Sequence, residues 1–386
     1  MPTGTSDALR RANLSTVLTL LVRHGPSSRA VLARLSGRNR STIGSLVADL
    51  AAMGLVRERE PEPDGHVGRP SPVVSLRSDV AAVAVNPEID LLRVTLVGLD
   101  GTFVDDRRLR FDHIPSVVEV VAATAELIAD CRAACPDVRI VGVGGAVPGQ
   151  VQARDGVVRN APHLRWTDEP FGELLSEATR LPVRVANDAS LGALAEHDFG
   201  AGRGFAHLLY VNGGASGIGG GAVVDGTLLG GAHGHAGELG HSRVSSSDLC
   251  DSAGLAGTLE AMVTRAELLD VLGLAGADAD ALHQALLADR SARVREVVER
   301  QLGHLAFGLA ASVNMLNPEV IVLGGFLASL LAYDPGRLRV GVAEATLGPS
   351  VEGLAIVASQ LGSRLLPMGA AHLAFAPLLR EPTASG

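Results

Sequence analysis

The 386 residues carry 47% hydrophobic and 19% charged side chains and a net charge of −9, apolar enough for two or three packed domains and too apolar for a disordered chain. No apolar run approaches the roughly 20 residues that a membrane-crossing helix needs, and the opening MPTGTSDALRR lacks a signal-peptide core, which predicts a cytoplasmic protein with no membrane partner. Cys131, Cys135 and Cys250 make no paired framework, so no disulfide is expected.

The acidic total hides a regional split. Through residue 80 there are 11 arginines against 7 acidic residues, a local charge of +4, which leaves −13 for the remainder; lysine is absent throughout. Leu14, Val17, Leu18 and Leu21 fall at helical spacing and stop at His24-Gly25-Pro26, predicting a first helix from about Ser6 to Arg23. Ser28 can cap a short second helix, and Asn39 a third in which Ile43, Leu46, Val47 and Leu50 share one face. The other face of the third helix offers Arg40, Ser41, Thr42 and Ser45, with Arg38 just before it. Two short helices joined by a tight turn, the second polar and basic at its start, match the helix-turn-helix that seats a helix in the major groove. Behind it LVRERE, a Pro/Gly-rich turn through GRPSP and the alternating VVSLR read as a two-stranded wing carrying Arg57, Arg69 and Arg77. The pattern alone leaves a small helical protein-interaction module as the alternative.

From Val80 the pattern is strands, a hairpin at Asp100-Gly101, a helix from about Ser116 to Cys135 and the strand RIVGVGG. From His207 the theme repeats: strands, a hairpin at Asp225-Gly226, helices with an insertion over Leu268 to Ala279, then the strand VIVL. The doubling suggests two α/β halves with a cleft between them. In the second half a strand-like run empties into GGASGIGGG and continues to GGAHGHAGELGH, where missing Cβ atoms let backbone amides approach a polyhydroxyl or anionic ligand. Read alone, Asn187-Asp188 in VRVANDAS reads first as a helix cap and only second as a binding pair.

Taken together, GVGGAVPGQV, VRVANDAS, the glycine-rich stretch with ELGH, and VIVLGGFL resemble, in order, the ROK family of repressors, uncharacterised reading frames and sugar kinases. The resemblance covers roughly Val80 to the end. It implies an actin-like, ribonuclease-H-like duplicated body: a first lobe over 79–200 with the last helix, about 366–386, packed back on it, and a second lobe over 201–365. The repressor branch adds a winged helix-turn-helix head, here 1–78, ending in a GRP-type wing. The resemblance also implies that Gly149, Asn187, Asp188, Glu238, His241 and Glu260 contact a sugar, Asp188 at the position of the kinase general base.

Two departures from the family pattern matter. The phosphate motif DxGxT falls on Asn86-Pro87-Glu88-Ile89-Asp90, where all three required residues are lost and added carboxylates repel ATP. The zinc segment CxCGxxGCxE places Asp251, Ala253 and Thr258 where three thiolates belong, so no zinc or other cofactor is expected and local hydrogen bonds must hold His241. His233 and His235 read as loop residues. The expectation is a homodimeric or homotetrameric repressor that binds operator DNA and senses a monosaccharide or sugar phosphate without phosphorylating it. An active ATP-dependent sugar kinase with a DNA-binding head is the alternative.

Overall fold

Residues 3–59, 72–214 and 216–384 are described in the computed structural model. Helices α1 (Thr3–His24), α2 (Arg29–Ser36) and α3 (Arg40–Ala52) form the head with strands β1 (Ser27–Ser28), β2 (Val56–Arg59) and β3 (Val73–Leu76), antiparallel in the order β1-β3-β2. The caps fall where the side-chain chemistry puts them: the Val31 amide donates to Ser28 Oγ, and the Thr42 amide to Asn39 Oδ1 at 2.8 Å. Leu14, Leu18, Leu32, Ile43, Val47 and Leu50 bury the apolar face of each helix, and truncating one to alanine would cost about 2 to 5 kcal/mol. The tip of the wing, including Arg69, lies outside the described residues.

The first lobe contains β4 (Val80–Pro87), β5 (Leu91–Gly98), β6 (Phe103–Arg110), α4 (Val117–Ala134), β7 (Arg139–Val147), β8 (Gln150–Val151), β9 (Val158–Ala161), β10 (Trp166–Glu169), α5 (Phe171–Thr179), β11 (Val183–Asn187) and α6 (Asp188–Phe199). The second contains β12 (Leu208–Gly214), β13 (Gly217–Val224), β14 (Thr227–Leu228), α7 (Leu259–Met262), α8 (Arg265–Leu272), α9 (Ala279–Ala288), α10 (Ala292–Leu316), β15 (Val320–Gly325), α11 (Phe326–Tyr333), α12 (Pro335–Glu344) and β16 (Ala355–Ala358), with α13 (Leu365–Arg380) last. The two main sheets run β11-β7-β4-β5-β6 and β14-β13-β12-β15-β16. In each, the first three strands are antiparallel neighbours and the last two add parallel to the first. That is the same five-strand topology twice, the duplicated fold anticipated from the repeated pattern.

Residues 268 to 279 are not one helix: Gly273, with φ of 68°, ends α8, and Asp278 caps α9. Asp225 and Gly226, both at positive φ, make the tight turn between β13 and β14. Helix α13 returns to pack on β4, β7 and α6, as expected. Helix α6 touches both lobes, lying against α13 on one side and against β12 and β13 on the other.

Candidate functional site

Between the lobes lies a cavity of about 340 Å³ whose lining includes Gly149, Asn187, Asp188, Glu238, His241 and Glu260, so the six residues anticipated for a sugar meet in one place. Their roles differ. Asn187 is indeed the N-cap of α6, its Oδ1 accepting from the Ser190 amide at 3.0 Å, while its Nδ2 donates to the Gly149 carbonyl at 2.9 Å. Gly149 has φ of 128°, and a Cβ there would meet Asn160 O at 2.3 Å, so the loop that presents this carbonyl admits only glycine.

Asp188 opens α6, with Oδ1 accepting from the Ala189 amide at 2.8 Å. One edge faces the cavity, but the protein crowded around it, with smaller contributions from the Glu238 and Glu88 charges, pushes its carboxyl up to about 6. Glu238, with 38% of its side chain exposed, has no side-chain hydrogen bond among the described residues and sits 4.0 Å from His241 Nε2. Its carboxylate is therefore available to a ligand.

Glu260 is committed elsewhere. Its Oε2 accepts from the Ile218 amide at 2.9 Å, and its Oε1 from the Ser252 amide and hydroxyl at 3.0 and 2.6 Å. A Cβ at Gly217 would lie 2.0 Å from Oε2. Glu260 thus braces the glycine-rich loop and retains little acceptor capacity for a sugar.

The departure from the zinc pattern has a structural answer. The Asp251 side chain, wholly buried, lies 2.9 Å from His241 Nδ1 through Oδ2 and accepts from Thr258 Oγ1 at 2.8 Å and from the Ala253 and Leu255 amides at 2.9 Å. Burial alone would raise its carboxyl, but the hydrogen bonds from His241, Leu255, Thr258 and Ala253 outweigh it and bring it down to about 2. Burial works against a charged His241, yet Asp251, Glu260 and Glu238 together raise it above the ordinary histidine value. Gly254 and Gly257, which stand at the glycines of the zinc segment, retain positive φ, so the loop keeps its turns around a carboxylate. His241, Asp251 and Glu260 each offer a ligand atom within 4.8 Å of the others, but the Asp251 and Glu260 oxygens are taken by internal donors and none of the three is a thiolate. These residues do not fit a closed structural zinc site.

A second cavity of about 350 Å³ shares Asp188, Ala189 and Asn212 with the first and lies where the phosphate motif would act. Asn86 spends its Nδ2 on the Ala146 carbonyl at 3.1 Å. Glu88 faces the cavity, its carboxyl raised by burial and by Asp90. Arg93, which also lines it, is paired with Asp106 at 2.7 Å.

Sequence reasoning missed His163, Asn212 and Ser252 in the first cavity. His163 Nε2 lies 2.9 Å from the Ser216 carbonyl across the cleft; no local pattern signals a contact between residues so distant in sequence. In the head, Arg38, Arg40, Ser41 and Ser45 are exposed on one side of the α2–α3 pair, and Thr42 is partly so. Arg38 and Arg40 make no side-chain hydrogen bond or ion pair among the described residues, whereas Arg57 reaches Ser75 Oγ at 3.4 Å on the wing.

Comparison with known proteins places the chain in a family. The profile described as ROK family matches residues 89–376. A xylose repressor from Caldicellulosiruptor bescii is 24% identical over 98% of this chain and 99% of its own. A glucokinase from Thermotoga maritima is 32% identical but spans 60% of this chain and 78% of its own. Among solved structures, a ROK family transcriptional regulator, described as a homolog of the E. coli Mlc protein, superposes with a TM-score of 0.78 at 24% identity, over 97% of this chain and 98% of that one.

Proposed function

The chain belongs to the ROK family, and on that footing we propose that it is a sugar-responsive DNA-binding repressor of the cytoplasm, acting as a homodimer or homotetramer. Its lobes bind a monosaccharide as effector and do not phosphorylate it. The observation that carries this reading is the state of the two cavities. The first keeps at Glu238 a carboxylate with no internal partner among the described residues, beside Asp188 and His241, acceptors suited to paired sugar hydroxyls. The second is lined by Asn86 and Glu88, with the Asp90 charge acting on Glu88, where the phosphate motif of the kinases would hold ATP. No arginine is among the described residues lining the first cavity, and its acids outnumber its two histidines. That charge balance favours a neutral sugar over a sugar phosphate.

The winged head supplies the DNA partner. Arg38, Arg40, Ser41, Thr42 and Ser45 present α3 to the major groove, with Arg57 and Arg69 on the wing following the backbone. Two heads related by symmetry would read a palindromic operator. Arg40→Ala is expected to weaken operator binding by about 1 to 3 kcal/mol if it reads a base, and less selectively if it meets phosphate. Gel-shift affinities unchanged in both Arg40→Ala and Arg69→Ala would remove the assignment.

The test of the function is calorimetry with a panel of pentoses, hexoses and hexose 6-phosphates, run beside a coupled ADP-release assay. The expected outcome is binding of a neutral sugar with no ADP release. Sugar-dependent ADP release at turnover rates ordinary for enzymes, about 1 per second or more, would restore the kinase alternative.

A further inference from the structure

Helix α6 begins in the cleft at Asp188 and ends about 15 Å away, at 1.5 Å per residue, beneath the head. There Asp198 is 1% exposed, and Arg23 from the last turn of α1 lies over it with Nε 2.9 Å from Oδ1. His197 Nδ1 is 2.8 Å from the same oxygen, and His372 Nε2, from α13, is 3.2 Å from Oδ2. Burial raises the Asp198 carboxyl, but His197, His372 and Arg23 outweigh it and hold it below the usual carboxylate range, so the buried group stays ionised.

Arg23 also reaches the second lobe. Its Nη2 donates to the Gly226 carbonyl at 3.5 Å, in the turn between β13 and β14, and Arg203 Nη2 donates to the Arg23 carbonyl at 2.5 Å. The rest of the head rests on the first lobe: Leu14, Leu18 and Leu21 share one apolar cluster with Phe375, Leu378 and Leu379 of α13. Two residues before Asp198, the fully buried Glu196 accepts from Ser359 Oγ and from the Gln360 and Leu361 amides, fixing this end of α6 to the segment between β16 and α13. The junction is incompletely satisfied, since Arg23 Nε and Asp198 Oδ2 are buried without an aligned hydrogen bond. Such groups are exceptions in packed proteins. A cavity of about 480 Å³ beside them leaves room for another arrangement.

We infer that Arg23 is the residue through which lobe closure reaches the head. The head is carried by the first lobe through α13, while the end of α1 is tied to the second lobe at Gly226. Closing the cleft on a sugar moves that contact relative to α13. Either the Arg23 tie breaks or α1 swings, and in both cases the setting of α3 changes. A bistable contact of this kind is what a ligand needs in order to bias one state over another.

The inference rests on the sensor reading, and the test separates the two. A DNA duplex selected by the wild-type protein from a random pool is titrated by fluorescence anisotropy with and without saturating D-xylose or D-glucose. Sugar binding is measured in parallel by calorimetry, for the full-length wild type, Arg23→Ala, Arg23→Lys and Asp198→Asn. The expected result is sugar affinity within about threefold of wild type in all three variants, with the sugar-induced change in duplex affinity reduced to under about twofold in Arg23→Ala, against a coupling of roughly 5- to 150-fold. Arg23→Lys, which keeps a cation near Asp198 but lacks the fork that reaches Gly226, should respond intermediately. A residue that only supports the fold would lower the melting temperature and leave the ratio of affinities intact. A wild-type ratio in Arg23→Ala and Asp198→Asn overturns the tie and leaves the sensor standing. Failure of every sugar in the calorimetric panel to bind the wild type sinks the sensor reading and the tie with it, and where another sugar of the panel binds in place of these two, the titration is run with that sugar.

Discussion

Glu238→Ala is expected to lower sugar affinity by roughly two orders of magnitude, the loss of about 3 kcal/mol of charge-assisted hydrogen bonding, and to abolish the sugar response while leaving operator binding without sugar intact. The reason is geometric. Glu238 faces the cavity with no internal partner among the described residues, so its acceptors are reserved for a ligand, whereas those of Glu260 are spent on Ile218 and Ser252. Sugar affinity should also fall as pH drops through about 6, where Asp188 takes up a proton and stops acting as a full acceptor. The sign for the empty protein is opposite. An acid whose folded value is raised binds a proton more tightly folded than unfolded, so its ionisation costs stability as pH rises from about 4 to above 6. Asp188→Asn should therefore melt higher than wild type at pH 7.5 and bind sugar less well. A Glu238→Ala protein that still responds to sugar would show that the ligand lies elsewhere.

Asp251→Ala is expected to cost about 2 to 4 kcal/mol and to open the loop over residues 249–258, because one buried carboxylate there satisfies His241, Thr258 and two amides. Its carboxyl, held at about 2, lies below the ordinary value, so this contribution is present above about 4 and is lost as pH falls through about 2. Hydrogen exchange across the loop should rise sharply in the variant, and His241 should lose its orientation toward the cavity. The same geometry predicts that the purified wild type carries no stoichiometric zinc. Elemental analysis returning one zinc per chain, or an Asp251→Ala loop as protected as wild type, would contradict the substitution of a carboxylate node for the metal.

Local chemistry was the legible part. Ser28, Asn39 and Asn187 all cap helices because their side chains suit an orphan amide, and Asp225-Gly226 turns because both positions take positive φ. The repetition of one strand pattern foretold two lobes, and the resemblance to the ROK family, not spacing, implied the grouping of Asn187, Asp188, Glu238 and His241 that now line one cavity. What escaped was the work each side chain does once packed. Asp251 read as a missing ligand, since a sequence shows that a thiolate is gone but not that four donors converge on its replacement. Glu260 read as a sugar contact because the motif retains it, and only its distances to Ile218 and Ser252 reveal a brace. The Arg23–Asp198 contact joins residues with no pattern in common, one in the head and one at the far end of the helix that starts in the cleft.

If sugar and operator binding share a free energy on one protein, a reciprocal titration reads it from both sides. Operator affinity is measured at increasing sugar concentration, and sugar affinity is measured with and without saturating operator duplex. Sugar is expected to weaken operator binding by roughly 5- to 150-fold, and operator to weaken sugar binding by the same factor, as linkage requires. Operator affinity unmoved under saturating sugar would contradict it.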